Sequence, residues 1–231
     1  MDAYEYLSVL NKEQREAVVH SGSPLLILAG AGSGKTRVIT TKIAYMISEL
    51  GINPYSILAV TFTKKAANEM QERAVLLEPQ AVKSQIRTFH SFGSWFLRRY
   101  AEEAEIDNNF TVYDDDDMVS LLLKEFPEMN RQQAGGVAHK ISRAKDYCLL
   151  PEDEDKFSIY NLDLTKEVYE RYQKRLRQTG NVDFGDLIMI PVLLLRSDEK
   201  IRADIHSRFK VVMVDEYQDS NVAQFALLEQ L

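Results

Sequence analysis

Residues 29–36 read Ala-Gly-Ala-Gly-Ser-Gly-Lys-Thr, between an apolar run at 24–29 and a segment of helical periodicity at 35–50. A glycine-rich turn from strand to helix admits few folds. Gly30, Gly32 and Gly34 let the backbone turn tightly and approach an anion closely. The amides of Ala29, Gly30, Ala31, Gly32, Ser33 and Gly34, with the helix N-terminus behind them, then face phosphate oxygens. In this context Lys35 reaches the β- and γ-phosphates of a nucleotide and the Thr36 hydroxyl ligates Mg²⁺. Ala29 stands where the strict pattern has glycine. The blander alternative is a glycine-rich turn with a chance Gly-Lys-Thr. The flanking strand and helix favour the nucleotide.

Apolar patterning extends the picture. A helix is expected near 12–20, with Asn11 as its N-cap, and another at 35–50, closed by Gly51. Buried strands are expected at 24–29, 57–62, 86–89 and 211–214, and a helix at 64–77. About 120 residues between the third and fourth strands read as helical, with candidates at 91–103, 114–126, 131–147, 165–178 and 184–196. Strand–helix alternation at both ends around a helical block predicts a parallel α/β domain holding an all-α insertion. The expected division is 1–90 with 201–231, and 91–200. A last helix is expected after Ser220, with an apolar pattern running to Leu231 that suggests a piece of a longer protein.

The run at 211–214 passes directly into Asp215 and Glu216. In phosphate-loop enzymes such a strand end gives an Asp that holds Mg²⁺, usually through water, and a Glu that activates the attacking water. If this strand and the one before the glycine loop share a parallel sheet, Asp215 comes near Thr36 although 179 residues separate them. The alternative is an acidic cap on the next helix.

Charge and composition close off other classes. The net charge is −7, but residues 1–100 carry +4 and residues 101–231 carry −11. A basic surface on the first part can still meet phosphates. The four aspartates at 114–117 read as the solvated first turn of a helix. Cys148 is the only cysteine, so neither an intrachain disulfide nor a cysteine-built zinc site can form, and the four histidines show no ligand spacing. A reducing, cytoplasmic setting is expected. The longest apolar run is nine residues, 187–195, against ~20 for a spanning helix. No basic-then-apolar leader opens the chain, so no membrane association is expected.

The stretches LNKEQREAVVH (10–20), AGAGSGKTRV (29–38), AVTFTKKAANEM (59–70), TFHSF (88–92), VDFGDL (182–187) and VDEYQDS (214–220) occur in this order. Together they closely resemble the N-terminal part of UvrD/Rep-type superfamily 1 DNA helicases, over nearly the whole chain. The family moves along single-stranded DNA and unwinds duplexes at the expense of ATP. The resemblance implies a RecA-like P-loop NTPase sheet with an all-α insertion. It also implies ATP and Mg²⁺ as cofactors, and single-stranded and duplex DNA as partners beside repair or replication proteins. The implied location is the nucleoid. By resemblance, Gln14 reads adenine and Arg37 lies near it. Lys35 and Thr36 hold phosphate and Mg²⁺, Asp215 is the metal-associated carboxylate, Glu216 the catalytic base, and Gln218 senses the γ-phosphate region. Thr61, Phe62 and Thr63 match one DNA-contacting segment, and Thr88, His90 and Ser91 the next. Rings stack on bases and hydroxyls bond phosphates. Phe62 can equally serve core packing, and His90 can be a neutral histidine bonded within the fold. Asp183, Phe184 and Asp186 match a further segment, for which a structural role is favoured because carboxylates repel DNA. Arg131, Lys140, Arg143 and Lys145 form one basic set, either a DNA-facing surface or a solvated helix face.

Lys64 departs from the family's usual asparagine, adding charge but losing an amide's paired hydrogen bonds. The family continues into a third motif and a second RecA-like domain, which supplies arginines to the γ-phosphate and an aromatic ring to the adenine. Neither is found in these 231 residues. The chain alone is therefore expected to bind nucleotide, to hydrolyse it very slowly and not to unwind. The 3′–5′ polarity rests on resemblance only. Three rivals share the phosphate loop or the DNA motifs: the ATP-dependent subunit of a helicase–nuclease complex, a standalone P-loop nucleotidase or kinase, and a non-catalytic DNA-binding module.

Overall fold

The computed structural model describes residues 5–30 and 32–231. In chain order the elements are α1 (Glu5–Ser8), α2 (Lys12–Val19), α3 (Lys35–Ser48), β1 (Ile57–Thr61), α4 (Lys64–Leu77), β2 (Gln85–Thr88), α5 (Phe89–Arg99), β3 (Val112–Tyr113), α6 (Asp115–Glu125), α7 (Arg131–Asp146), α8 (Glu154–Phe157), α9 (Lys166–Gln178), β4 (Val182–Asp183), α10 (Asp186–Ser197), α11 (Glu199–Arg208), β5 (Val211–Val214) and α12 (Val222–Gln230). Two compact units form, one from the residues up to Phe89 with 203–218, the other from 90–202 with 219–231.

The first unit is built on a parallel sheet of order β2-β1-β5. Every residue of β1 is buried, which is why it reads as an unbroken apolar run covered on both faces. Ile43, Met46 and Ile47 of α3 and Met70 and Ala74 of α4 pack with Ile57 and Ala59 of β1. This is the parallel α/β architecture of a RecA-like domain. In register, Thr61 stands beside Thr88 and Val60 beside Val214, so the C-terminal ends of all three strands share one edge.

The run at 24–29 departs from expectation: it joins no strand ladder among the described residues. Both edges of β1 are taken by β2 and β5. Ile27 alone packs, against the cluster of Leu7, Leu10, Val18 and Val38, while Leu26 and Leu28 are exposed.

The second unit centres on α6, α7 and α9, whose buried faces meet in one core. It is not purely helical, because β3 and β4 pair in parallel over two residues each. Asp114 caps α6 reciprocally with Asp117, and Thr165 caps α9. The aspartate run thus serves a helix start, where carboxylates meet free N–H groups and the positive end of the dipole. Residues 219–231, expected with the sheet, cluster instead with the helical unit, because α12 packs on α10 and its cap Asn221 donates to the Asp146 carboxylate at 2.7 Å.

Candidate functional site

The glycine loop leads into α3 through Gly32 and Gly34, at φ +75° and +89°. Only glycine occupies that region without strain. A Cβ on Gly34 would also lie 2.8 Å from Nε2 of Gln14. The Ser33 hydroxyl donates to the Gly30 carbonyl at 2.7 Å and braces the loop. Among the described residues the Lys35 ammonium makes long contacts, 3.3 Å to the Ala29 carbonyl and 3.4 Å to that of Gly30. Ala31 lies outside the described residues. The loop opens on a cleft of about 790 Å³, lined by Gly32, Gly34, Lys35, Thr36, Arg37, Arg73, Glu216 and Gln218 with residues 27–29.

β5 delivers the acidic pair. The Asp215 amide donates to the Val60 carbonyl at 3.0 Å, so the ladder with β1 carries Asp215 past the last strand residue. Asp215 is buried at 6% exposure. Burial pushes its carboxyl above the ordinary value, and the Glu216 charge adds to this. The Glu216 amide, Lys35 and the Thr36 hydroxyl oppose the rise without cancelling it. Glu216 sits at φ +53°, a conformation that costs a non-glycine residue energy. Its carboxylate lies 4.0 Å from the Lys35 ammonium and accepts from the Gln218 amide at 2.5 Å. With the buried Asp215 carboxyl bonded to the Thr36 hydroxyl, Lys35, Thr36, Glu216 and Gln218 therefore meet at one cleft. Its donor set is hydroxyl, carboxylate and ammonium, which suits a phosphate and a hard, oxygen-loving cation.

α2 braces the loop from the side. Asn11 caps it, and the Gln14 amide is used at both ends. Its oxygen accepts from the Asn11 amide at 3.1 Å, and its nitrogen donates to the Ser33 carbonyl at 2.9 Å. Gln14 is thus a tether between α2 and the loop. Lys42 of α3 donates to the carbonyls of Ala17, Val18 and His20, closing the other end of α2. Burial holds its ammonium below the ordinary lysine value. Sequence reasoning missed Lys42 and the cleft-lining Arg73, which is paired with Glu69 on α4. The only linear signal for Arg73 was its i+4 spacing from that glutamate.

The residues expected at DNA fall into three settings. Thr61 and Thr88 end adjacent strands and are buried. Phe62 is half-buried against Phe89, with ring centroids 5.3 Å apart. Thr63 is exposed, but its hydroxyl accepts from the Ala66 amide as the cap of α4, and Lys64 follows it, exposed, as the first helical residue. In the second unit His90 and Ser91 lie half-buried in the first turn of α5. Burial lowers the His90 pKa and keeps the ring neutral at pH 7.

The basic set on α7 does not form one face. Arg131 pairs with Asp116 at 2.7 Å, and Lys140 with Asp163 at 2.9 Å. Lys145 is wholly buried, because carboxylates distant in sequence draw its ammonium inward: Asp183 at 2.5 Å and Asp186 at 2.8 Å. Asp183 and Asp186 are structural, each accepting from the other's amide. Phe184, between them, is 52% exposed and stands edge-on to His90 at 5.6 Å.

A family model described as "UvrD/REP helicase N-terminal domain" matches residues 10–231. The chain is 40% identical over 233 residues to the ATP-dependent DNA helicase PcrA of Bacillus subtilis, covering 98% of this chain and 32% of that protein. It is 41% identical over 243 residues to the ATP-dependent DNA helicase UvrD1 of Mycobacterium tuberculosis, covering 99% and 31%. The PcrA of Staphylococcus aureus is 39% identical over 231 residues, covering 97% and 32%. The chain thus spans about a third of the length of these relatives. With a parallel α/β unit, a glycine loop facing an acidic strand end, and a family match over all but its first nine residues, this chain belongs to the UvrD/REP helicase N-terminal domain family.

Proposed function

We propose that this chain is the ATP-binding N-terminal part of a DNA helicase that couples Mg²⁺-ATP hydrolysis to 3′–5′ movement on single-stranded DNA and to duplex unwinding. Such work serves repair, replication or recombination. The reading is carried by one juxtaposition: Lys35 and Thr36 share a cleft with Glu216, and the Thr36 hydroxyl meets the Asp215 carboxyl 179 residues downstream.

The roles follow from the chemistry. Loop amides and the start of α3 cradle the phosphates. The Lys35 ammonium, on two long carbonyl contacts and a 4.0 Å approach to Glu216, turns to the β- and γ-phosphates. The Thr36 hydroxyl and the Asp215 carboxylate would hold Mg²⁺. When bound, that cation would supply charge neutralisation at the β- and γ-phosphates. Glu216 takes the proton of the attacking water, with Gln218 fixing its carboxylate. Gln14 and Arg37 flank the base. The same sheet edge bears Phe62, Thr63 and Thr88, which supports a DNA track there, and His90 and Ser91 are the helical unit's own candidates for DNA contact. A second RecA-like domain must supply the arginines, worth ~10³–10⁵ in rate in related sites. Alone, the chain binds nucleotide and does not unwind.

The test is Mg²⁺-ATP hydrolysis with and without single-stranded DNA, by this chain and by the chain extended through a second domain. Strong DNA stimulation of the extended protein, with almost none in the chain alone, is the expected result. Full turnover by the chain alone, indifferent to DNA, would overturn the reading in favour of a standalone nucleotidase or kinase.

A further inference from the structure

We propose that Lys145 is a positioning residue. Its buried ammonium fixes the turn 183–186 so that Phe184 stands against His90 and offers its open surface to an unstacked base of single-stranded DNA. The proposal rests on the DNA reading given above.

Phe184 is 52% exposed in a stretch where Val182, Asp183, Asp186 and Leu187 are all buried. Burying a phenylalanine ring is favourable, and here the turn that carries it is held by something other than apolar packing. That restraint is charge. The Lys145 ammonium bonds both carboxylates, and each carboxylate closes on the other's amide. The Tyr172 hydroxyl donates to Asp183 at 2.9 Å, and Gln173 and Arg177 reach Asp186. Lys145 and the partly exposed Arg177 together balance the two buried carboxylates. Such networks add little stability over an apolar core of the same shape, but they specify one geometry.

Two close approaches lock the turn in place. A Cβ on Gly185 would lie 2.7 Å from the Lys145 Cβ and Cδ, so the lysine stem rests directly on the turn. A Cβ on Gly93 would lie 1.8 Å from the Leu187 carbonyl oxygen, so the α5 backbone rests on the residue just beyond it. His90 is one helical turn before Gly93 on α5. The spacing of His90 and Phe184 is therefore set by an ammonium and two glycines. An exposed ring backed by a second, neutral ring is a platform for base stacking.

The experiment is anisotropy of a fluorescein-labelled oligothymidylate, titrated with the chain at several salt concentrations. Phe184→Ala is expected to weaken binding roughly tenfold, the scale of one base–aromatic stack. Lys145→Met and Gly185→Ala are expected to reproduce most of that loss and to add nothing in the Phe184→Ala background. The salt slope should stay unchanged, because none of these groups touches a phosphate. Gly185→Ala keeps every charge and carries the test should Lys145→Met fail to fold. Leu122→Ala, in the core of the same unit, is expected to lower Tm and leave affinity alone, which a merely structural role for Lys145 would share. Wild-type binding by both positioning variants, or losses that add to that of Phe184→Ala, overturn the proposal. Hydrogen exchange at the Asp183 and Asp186 amides separates it from its premise. Protection lost in Lys145→Met, with Phe184→Ala binding at full strength, overturns the proposal through the DNA reading and not through the clamp.

Discussion

Each unit holds one lysine facing two carboxylates, and the two sets are built oppositely. In the sheet unit Lys35 is partly exposed, 4.0 Å from Glu216, with two long carbonyl contacts. In the helical unit Lys145 is buried and bonds Asp183 at 2.5 Å and Asp186 at 2.8 Å. The second set is complete in itself. Burial pushes Asp186 upward, but Lys145 and Arg177 outweigh it and hold the carboxyl below its ordinary value. Asp183 is left raised by burial and by its neighbour's charge. The first set is looser, with the cation on long contacts and a raised acid, and on the proposed function it takes a phosphate and its cation. A lysine with two carboxylates thus gives a fixed geometry in one unit and, on the proposed function, a ligand site in the other.

If the contrast is right, the two lysines fail differently. Lys145→Met leaves two interior carboxylates facing Arg177 alone, and breaking a buried pair costs about 3–5 kcal/mol. Thermal unfolding should fall by roughly 6–20 °C, at ~2–4 °C per kcal/mol for a chain of this size. Lys35→Ala should instead cut ATP hydrolysis by ~10²–10³, about 2.7–4 kcal/mol, the scale for losing a preorganised donor to developing charge. Its Tm should stay within about 1 °C of wild type. A melting loss for Lys35→Ala equal to that of Lys145→Met would erase the distinction.

This contrast was only half legible in the sequence. The glycine loop and the Asp-Glu strand end could be read because their chemistry demands fixed residue types at fixed spacings, and Asn11 and Gly51 because a helix end has local needs. Lys145 could not be told from Lys140 or Arg143 on the same helix. What buries it lies 38 and 41 residues further on. The run at 24–29 carries the same apolar signal as 57–62, yet only the second became a strand. Periodicity reports a tendency to be buried, whereas a strand needs neighbours for its N–H and C=O groups. β3 and β4 are two residues each, too short for any periodicity to register.

Asn11→Ala sharpens the comparison from the edge of the nucleotide cleft. Asn11 and Gln14 satisfy each other's amides, and Gln14 also tethers the Ser33 carbonyl. Losing the cap costs about 1 kcal/mol. Nucleotide affinity should weaken by a few-fold, because the loop loses a fixed neighbour. The same loss in Tm with unchanged affinity would mean that the loop stands without α2.

The smallest effect is the most specific to the looser site. The Asp215 carboxyl lies above its ordinary 3.8, first through burial and then through Glu216. A raised folded pKa means that the native state keeps this proton to higher pH than the unfolded chain. Its contribution to stability therefore falls as pH rises through the folded pKa, and at pH 7 the ionised carboxylate is a net cost. Asp215→Asn removes that cost, so Tm at pH 7 should rise by about 1–2 °C while hydrolysis is lost. The advantage should vanish below about pH 4, where the wild-type carboxyl is protonated in both states. Asp186→Asn should do the opposite at pH 7, because Lys145 and Arg177 already repay its charge. If both asparagine variants shift Tm in the same direction, the Asp215 site is as self-contained as the buried one. The Lys35 cleft would then need no ligand to complete it.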